Sequence, residues 1–132
     1  MNPEQRCPRP QRAKGLATMG YQSHRYGILG SGAVGSVYGS RLWRAGHPVT
    51  FLLRSDLEAG RRQGLRVDSP WGDVTVAASQ LVGTARELGA VDALIVATKS
   101  TANHQLAALL AELPAPAPVI LLLQNGLGGE DA

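Results

Sequence analysis

Tyr26-Gly27-Ile28-Leu29-Gly30-Ser31-Gly32-Ala33-Val34-Gly35 is the stretch on which the reading of this 132-residue chain turns. Its first half is a short apolar run ending in glycine, as a buried strand does. Its second half has the spacing G-x-G-x-x-G. Beyond it Val34, Val37, Tyr38, Leu42 and Ala45 recur at helical spacing, which predicts an amphipathic helix with these residues on its apolar face. Gly46 and His47-Pro48 then close the segment, and Val49 to Leu53 is a continuous apolar run, expected of a parallel strand covered on both faces. Strand, glycine turn, helix and strand make a βαβ unit.

The glycine pattern alone is weak, because glycine-rich turns are common. Inside a βαβ unit it has a physical meaning. Gly30 permits the tight turn, Gly32 lets the backbone approach a pyrophosphate, and Gly35 lets the helix pack closely on the strand. Unpaired amides of Ser31, Ala33 and Val34 and the positive end of the helix then hold the anion. An acidic residue at the end of the second strand would accept a hydrogen bond from the ribose 2′-hydroxyl of NAD; Arg54 stands there instead. A guanidinium cannot accept, but it pairs well with a 2′-phosphate, so NADPH is the expected cofactor. Ser55 can add a hydroxyl donor.

Further along, Ser55 to Gln63 predicts a short helix capped by Ser55 with Glu58 three residues on. Gly64 to Asp68 and Trp71 to Val76 alternate as two strands joined by Ser69-Pro70, a hairpin. Val91 to Thr98 reads as a buried strand, Leu106, Leu109, Leu110 and Leu113 as a helix stopped by Pro114, and Val119 to Leu123 as a last strand. Strands alternating with helices predict an α/β fold of Rossmann type, a doubly wound and mostly parallel sheet. Lys99 and Asn125 follow two of these strands at the end where such sheets bind ligands. An ammonium there can hold a carboxylate or polarise a carbonyl; an amide can fix an alcohol or a nicotinamide ribose.

Composition narrows the alternatives. With 44% hydrophobic and 17% charged residues the chain is of ordinary globular type, long enough for a single core. The net charge of +3 is unevenly placed: residues 1–25 carry five basic residues against Glu4, and the remainder carries eight basic against nine acidic. The body therefore lacks the basic face a nucleic-acid partner would need. Residues 1–24, rich in Pro, Gln and Arg, are expected to form a disordered basic tail, with Met19 an alternative start, and residues 25–132 the dinucleotide-binding domain. The single cysteine, Cys7, fits a reducing compartment, and a cytoplasmic location is expected, with no membrane span and no secretory leader. Three histidines and one cysteine show no metal-ligand spacing, so no metal is expected. His47 is expected at the surface, His104 on a solvent-facing helix position, and Trp71 as a packing or edge residue of the hairpin.

Gly30-Ser31-Gly32-Ala33-Val34-Gly35, Arg54, Ala97-Thr98-Lys99 and Gln124-Asn125-Gly126-Leu127-Gly128, in this order and at these spacings, resemble the N-terminal half of ketopantoate reductases, also called 2-dehydropantoate 2-reductases. The resemblance spans about residues 26–130. It implies reduction of the 2-oxoacid ketopantoate to pantoate with NADPH, on the route to pantothenate and coenzyme A. It implies that Gly30, Gly32 and Gly35 cradle the pyrophosphate, that Arg54 reads the 2′-phosphate, and that Lys99 and Asn125 line the nicotinamide and substrate end. Family members continue into a helical domain supplying a general-acid lysine and a substrate-binding glutamate, and nothing in this sequence corresponds to either. The expectation is a truncated cofactor-binding half that binds NADPH and turns over slowly or not at all, with apolar surface that favours a homodimer. The competing readings are a stand-alone NADPH-binding module, and another dehydrogenase sharing the glycine fingerprint, acting on glycerol-3-phosphate, a 3-hydroxyacid or an opine.

Overall fold

The computed structural model describes residues 23–30, 32–99, 101, 103–117 and 119–124. The expected tail lies outside the described residues apart from Ser23 and His24, as do Cys7, Ser31 and Asn125. The elements run β1 (Tyr26–Leu29), α1 (Ala33–Arg44), β2 (Val49–Leu52), α2 (Leu57–Gln63), β3 (Leu65–Val67), β4 (Val74–Val76), β5 (Leu81–Val82), β6 (Ala93–Val96), α3 (Asn103–Ala111) and β7 (Val119–Leu122).

Five strands make one sheet in the order β5-β2-β1-β6-β7, every neighbouring pair parallel. The chain starts in the middle, builds to one side through β2 and β5, then returns beside β1 with β6 and builds to the other side with β7. This is the doubly wound arrangement expected, and its order reverses between β1 and β6. A crevice opens at such a point beyond the carboxyl ends of the strands. Alternating side chains feed two cores. Ile28, Phe51 and Ile95 pack with Trp43 of α1 and with Val74 and Val76 of the β3-β4 hairpin. Leu29, Leu52, Leu94 and Val96 pack with Leu88 and with Leu106 of α3 on the other face.

Helix α1 exists where periodicity places it, but it buries the opposite face. Gly35, Ser36, Gly39, Ser40 and Trp43 are buried, whereas Val34 is 46% and Tyr38 55% exposed. The reason is distance. A Cβ on Gly39 would lie 2.4 Å from Phe51 Cε1, so at that turn the helix sits too near the sheet for any side chain, and Trp43 enters the core one turn further on. Val34 and Tyr38 turn outward because the close approach at Gly39, not hydrophobicity, selects the face.

Other expectations need smaller corrections. Asp56 rather than Ser55 occupies the cap of α2, and it makes no side-chain capping bond. Strand β5 has two residues, too few for any periodicity to reveal; Leu53 N–H extends its pairing by donating to the Val82 carbonyl at 2.9 Å. Trp71 lies in the hairpin turn, 66% exposed, where its carbonyl accepts from Arg41 Nη1 at 2.8 Å and ties the turn to α1.

His47 is buried, not at the surface. Its Nδ1 accepts from the His24 backbone N–H at 3.3 Å, and its ring meets Tyr26 edge-on with centroids 5.2 Å apart. Burial first, and the nearby His24 second, hold its pKa below the ordinary histidine value. The sequence places it before β2, which is the end of the sheet away from the crevice. No described helix is long and apolar enough to cross a membrane.

Candidate functional site

A cleft of about 440 Å³ lies where β1, β2 and β6 end. Leu29 and Leu52 form its apolar floor; Gly30 and Gly32 bring the turn after β1 to its edge. Gly30 has φ +87°, and a Cβ there would lie 2.5 Å from the Thr98 backbone nitrogen. The turn can therefore rest against the end of β6 only as glycine. A Cβ on Gly35 would come within 2.0 Å of the Gly30 carbonyl oxygen, so α1 starts pressed onto the turn that precedes it.

Gly32 is different in kind. Nothing lies within 4 Å of where its Cβ would be, and its backbone is in an extended conformation any residue adopts. Neither packing nor strain in the protein itself calls for glycine, and the open space faces the cleft. The helical ladder of α1 begins with Ser36 N–H donating to the Gly32 carbonyl at 3.0 Å. The amides of Ala33, Val34 and Gly35 come before that bond, at the positive end of a helix whose first turn carries no acidic residue. Open backbone, converging N–H groups and absent negative charge suit a pyrophosphate.

The rim is polar. Arg54, Ser55 and Asp56 follow β2 on one side, Thr98 and Lys99 follow β6 on the other, and Thr101 and Leu109 belong to the segment and helix beyond. Arg54 Nη1 donates to Gln105 Oε1 on α3, joining residues 51 positions apart. Below Lys99, Gln124 Nε2 faces three acceptors: the Thr98 carbonyl at 2.9 Å, Thr98 Oγ1 at 3.0 Å and Asn103 Oδ1 at 2.8 Å. The ends of β6 and β7 and the start of α3 are thereby tied together. His104 is exposed with Nδ1 3.1 Å from the Thr101 carbonyl.

Of the residues singled out from sequence, Gly30, Gly32, Arg54 and Lys99 line this one cleft. Ala33, Val34 and Gly35 form the first turn of α1, and Ser31 and Asn125 fall outside the described residues. Sequence reasoning passed over Asp56, Thr101 and Gln105, and read Gln124 only as a neighbour of Asn125. A signal existed for part of this: Thr101, Gln105 and Leu109 are spaced by four, which puts them on one face of a helical segment.

Comparison with known proteins follows the same outline. The model of the family described as ketopantoate reductase PanE/ApbA matches residues 26–132. The 2-dehydropantoate 2-reductase of Nostoc sp. (strain PCC 7120 / SAG 25.82 / UTEX 2576) is 41% identical over 107 residues, covering 81% of this chain and 34% of that protein. The crystal structure of 2-dehydropantoate 2-reductase from Geobacter metallireducens GS-15 is similar with a TM-score of 0.74 and 41% identity, over 81% of this chain and 36% of that one. The ternary structure of D-mandelate dehydrogenase with NADH and anilino(oxo)acetate is similar with a TM-score of 0.69 and 25% identity, over 81% and 35%. The chain thus spans about a third of the length of these relatives. By glycine turn, sheet order and family match together, this chain belongs to the ketopantoate reductase family and corresponds to the N-terminal part of its enzymes.

Proposed function

We propose that this chain binds NADPH as the cofactor-binding part of a reductase that converts ketopantoate, a small 2-oxoacid, to pantoate in the cytoplasm. The observation that carries the reading is Arg54, which lines the same cleft as Gly30 and Gly32. A cation on the β2 side of a glycine turn matches a dinucleotide with an extra phosphate on its adenosine ribose. Gly30, Gly32 and the first amides of α1 would hold the pyrophosphate. Lys99, across the cleft after β6, would offer its ammonium to the carboxylate or carbonyl oxygen of the substrate, and Asn125 would fix the nicotinamide ribose or the alcohol formed. Bound NADPH would supply the hydride. Leu29 and Leu52 keep the floor apolar, which strengthens each of these polar contacts.

The test is a calorimetric titration of the purified chain with NADPH and, in parallel, with NADH, the cofactor present in the D-mandelate dehydrogenase structure. Saturable binding with preference for NADPH is expected. Arg54→Ala should weaken NADPH by roughly tenfold to a hundredfold, the worth of one charge-assisted hydrogen bond of about 1.5–3 kcal/mol, while NADH changes little. Equal losses for both cofactors would sink the assignment of the 2′-phosphate to Arg54.

A further inference from the structure

Arg54 is exposed, follows β2 and carries a long side chain that loop geometry alone leaves free to point into solvent. In the structure it does not. Its Nη1 is held by the amide oxygen of Gln105. Gln105 stands midway between Thr101 and Leu109, four residues from each, and both of those line the cleft. The bond therefore runs from the β2 wall to the α3 wall, across the side of the cleft where Arg54 sits.

We infer that Gln105 is a positioning residue for cofactor specificity: it holds the Arg54 guanidinium toward the cleft, ready for a phosphate monoester on the adenosine ribose. The inference rests on the reading of Arg54 given above. Its chemistry is specific to an amide. One carbonyl oxygen takes one of the five N–H donors of the guanidinium and leaves the others for the phosphate. Being neutral, it leaves the full positive charge to act on the ligand. A carboxylate at the same place would hold the arginine too, but as an ion pair that competes with the phosphate and repels it. An apolar side chain of the same length would release the arginine to many rotamers, and the phosphate would have to order it on binding. The hydrogen bond described for the Gln105 side chain is the one to Arg54, so its effect is expected on ligands that carry the extra phosphate, with NADH as the control.

The experiment compares the whole chain with Gln105→Glu, Gln105→Met, Arg54→Ala and the double variant Arg54→Ala/Gln105→Glu, each titrated with NADPH and NADH. Gln105→Glu is expected to weaken NADPH roughly five- to tenfold and Gln105→Met roughly threefold, with NADH within about twofold of wild type in both. In the Arg54→Ala background the Gln105→Glu effect on NADPH should shrink to about twofold or threefold, the direct repulsion between carboxylate and phosphate, because no guanidinium remains to be captured. Gln105 is exposed, so its variants fold, and the NADH titration checks this. If Arg54→Ala loses NADPH preference while both Gln105 variants bind like wild type, the positioning role is overturned and the reading of Arg54 stands. Equal weakening of NADPH and NADH by Gln105→Glu would make Gln105 a structural residue and likewise overturn it. If Arg54→Ala leaves the preference intact, the reading of Arg54 fails and the inference falls with it.

Discussion

The two crossover units beside the cleft, β1-α1-β2 and β6-α3-β7, have the same connectivity and are held in different ways. In the first, both strands are buried along nearly their whole length, and α1 meets them most closely at Gly39, where even a Cβ would clash, with Trp43 packed into the core beyond it. In the second, Leu106 is the one buried residue of α3, and the edge strand β7 exposes Val119, Ile120 and Leu121. Apolar contact there is supplemented by the Gln124 amide reaching three acceptors. The first unit is fixed by shape, the second by leucines and a polar tie. The difference matches the division of tasks proposed above for the cleft. The first unit presents backbone amides at fixed positions, which demands rigid close packing. The second presents side chains, Lys99 and Gln105, which need only a correctly placed loop and helix.

The largest effect should come from adding a single methyl group to the first unit. Gly35→Ala places a Cβ against the Gly30 carbonyl, a backbone atom that can yield only if the turn moves. A loss of about 3 kcal/mol in urea unfolding is expected, the upper part of the range for overpacking, together with loss of NADPH binding. Gly32→Ala makes the contrast sharp, because its Cβ would meet nothing within 4 Å. Stability should stay within about 0.5 kcal/mol of wild type while NADPH affinity falls, since the open space is where the pyrophosphate would approach. Should both variants unfold alike, the glycine turn would be serving packing alone.

In the second unit the corresponding disruption is Gln124→Leu, which keeps the volume and removes the donor. Thr98 and Asn103 would each lose the bond from Gln124, at a cost of about 1–3 kcal/mol. Hydrogen exchange should show the loss as faster opening at residues 98–103 with β1 and β2 unchanged. Uniform loosening of both units would mean that they are not held separately.

How far the molecule was legible in its sequence follows the same division. The strands β1, β2, β6 and β7 and the glycine turn were readable because continuous apolar runs and fixed glycine spacing are local signals. That Arg54 and Lys99 line one cleft was readable because sheet topology places strand ends together. The buried face of α1 was misread: Val34 and Tyr38 look like core by period, and only the three-dimensional closeness of Phe51 to Gly39 shows otherwise. His47 was misread for a similar reason, since the atoms that bury it come from His24 and Tyr26, more than twenty residues earlier. The Arg54 to Gln105 bond joins two polar residues, each unremarkable in its own segment, and no local pattern announces such a pair.

His47 allows the first unit to be probed from the end away from the cleft. Its pKa is lowered in the folded state, so the folded protein binds fewer protons there than the unfolded chain does. The stability it contributes is full above the ordinary histidine value, about pH 6.5, and is lost as pH falls from there through the lowered folded-state value. Urea midpoints at about pH 7.5 and about pH 5.5 should therefore diverge more for wild type than for His47→Gln. An identical pH dependence in the two proteins would show that His47 does not titrate with unfolding. At the same end the Asp92 carboxylate accepts from the Arg25 N–H at 2.8 Å and lies 4.0 Å from His24 Nδ1.

The smallest expected change in stability belongs to β7, and it tests whether the second unit's exposed strand acts between molecules. Val119, Ile120 and Leu121 are 56%, 46% and 48% exposed, so little apolar area is lost from the fold by making one of them polar. Leu121→Thr puts a β-branched strand former at the edge and should leave unfolding within about 0.5 kcal/mol of wild type. The edge itself is another matter. An uncharged run of Val-Ile-Leu on the outer strand of the sheet presents apolar side chains and, among the described residues, an unpaired backbone edge to a neighbour, the combination that favours association. Sedimentation over a concentration series is expected to show wild type self-associating and Leu121→Thr doing so less, with the midpoint of unfolding nearly unchanged. If the substitution lowers stability by as much as Gln124→Leu, then β7 is part of the core of its unit and the contrast between the two crossovers is one of degree. If stability holds and association falls, the same residues that leave the second unit loosely packed are those through which the chain meets another surface.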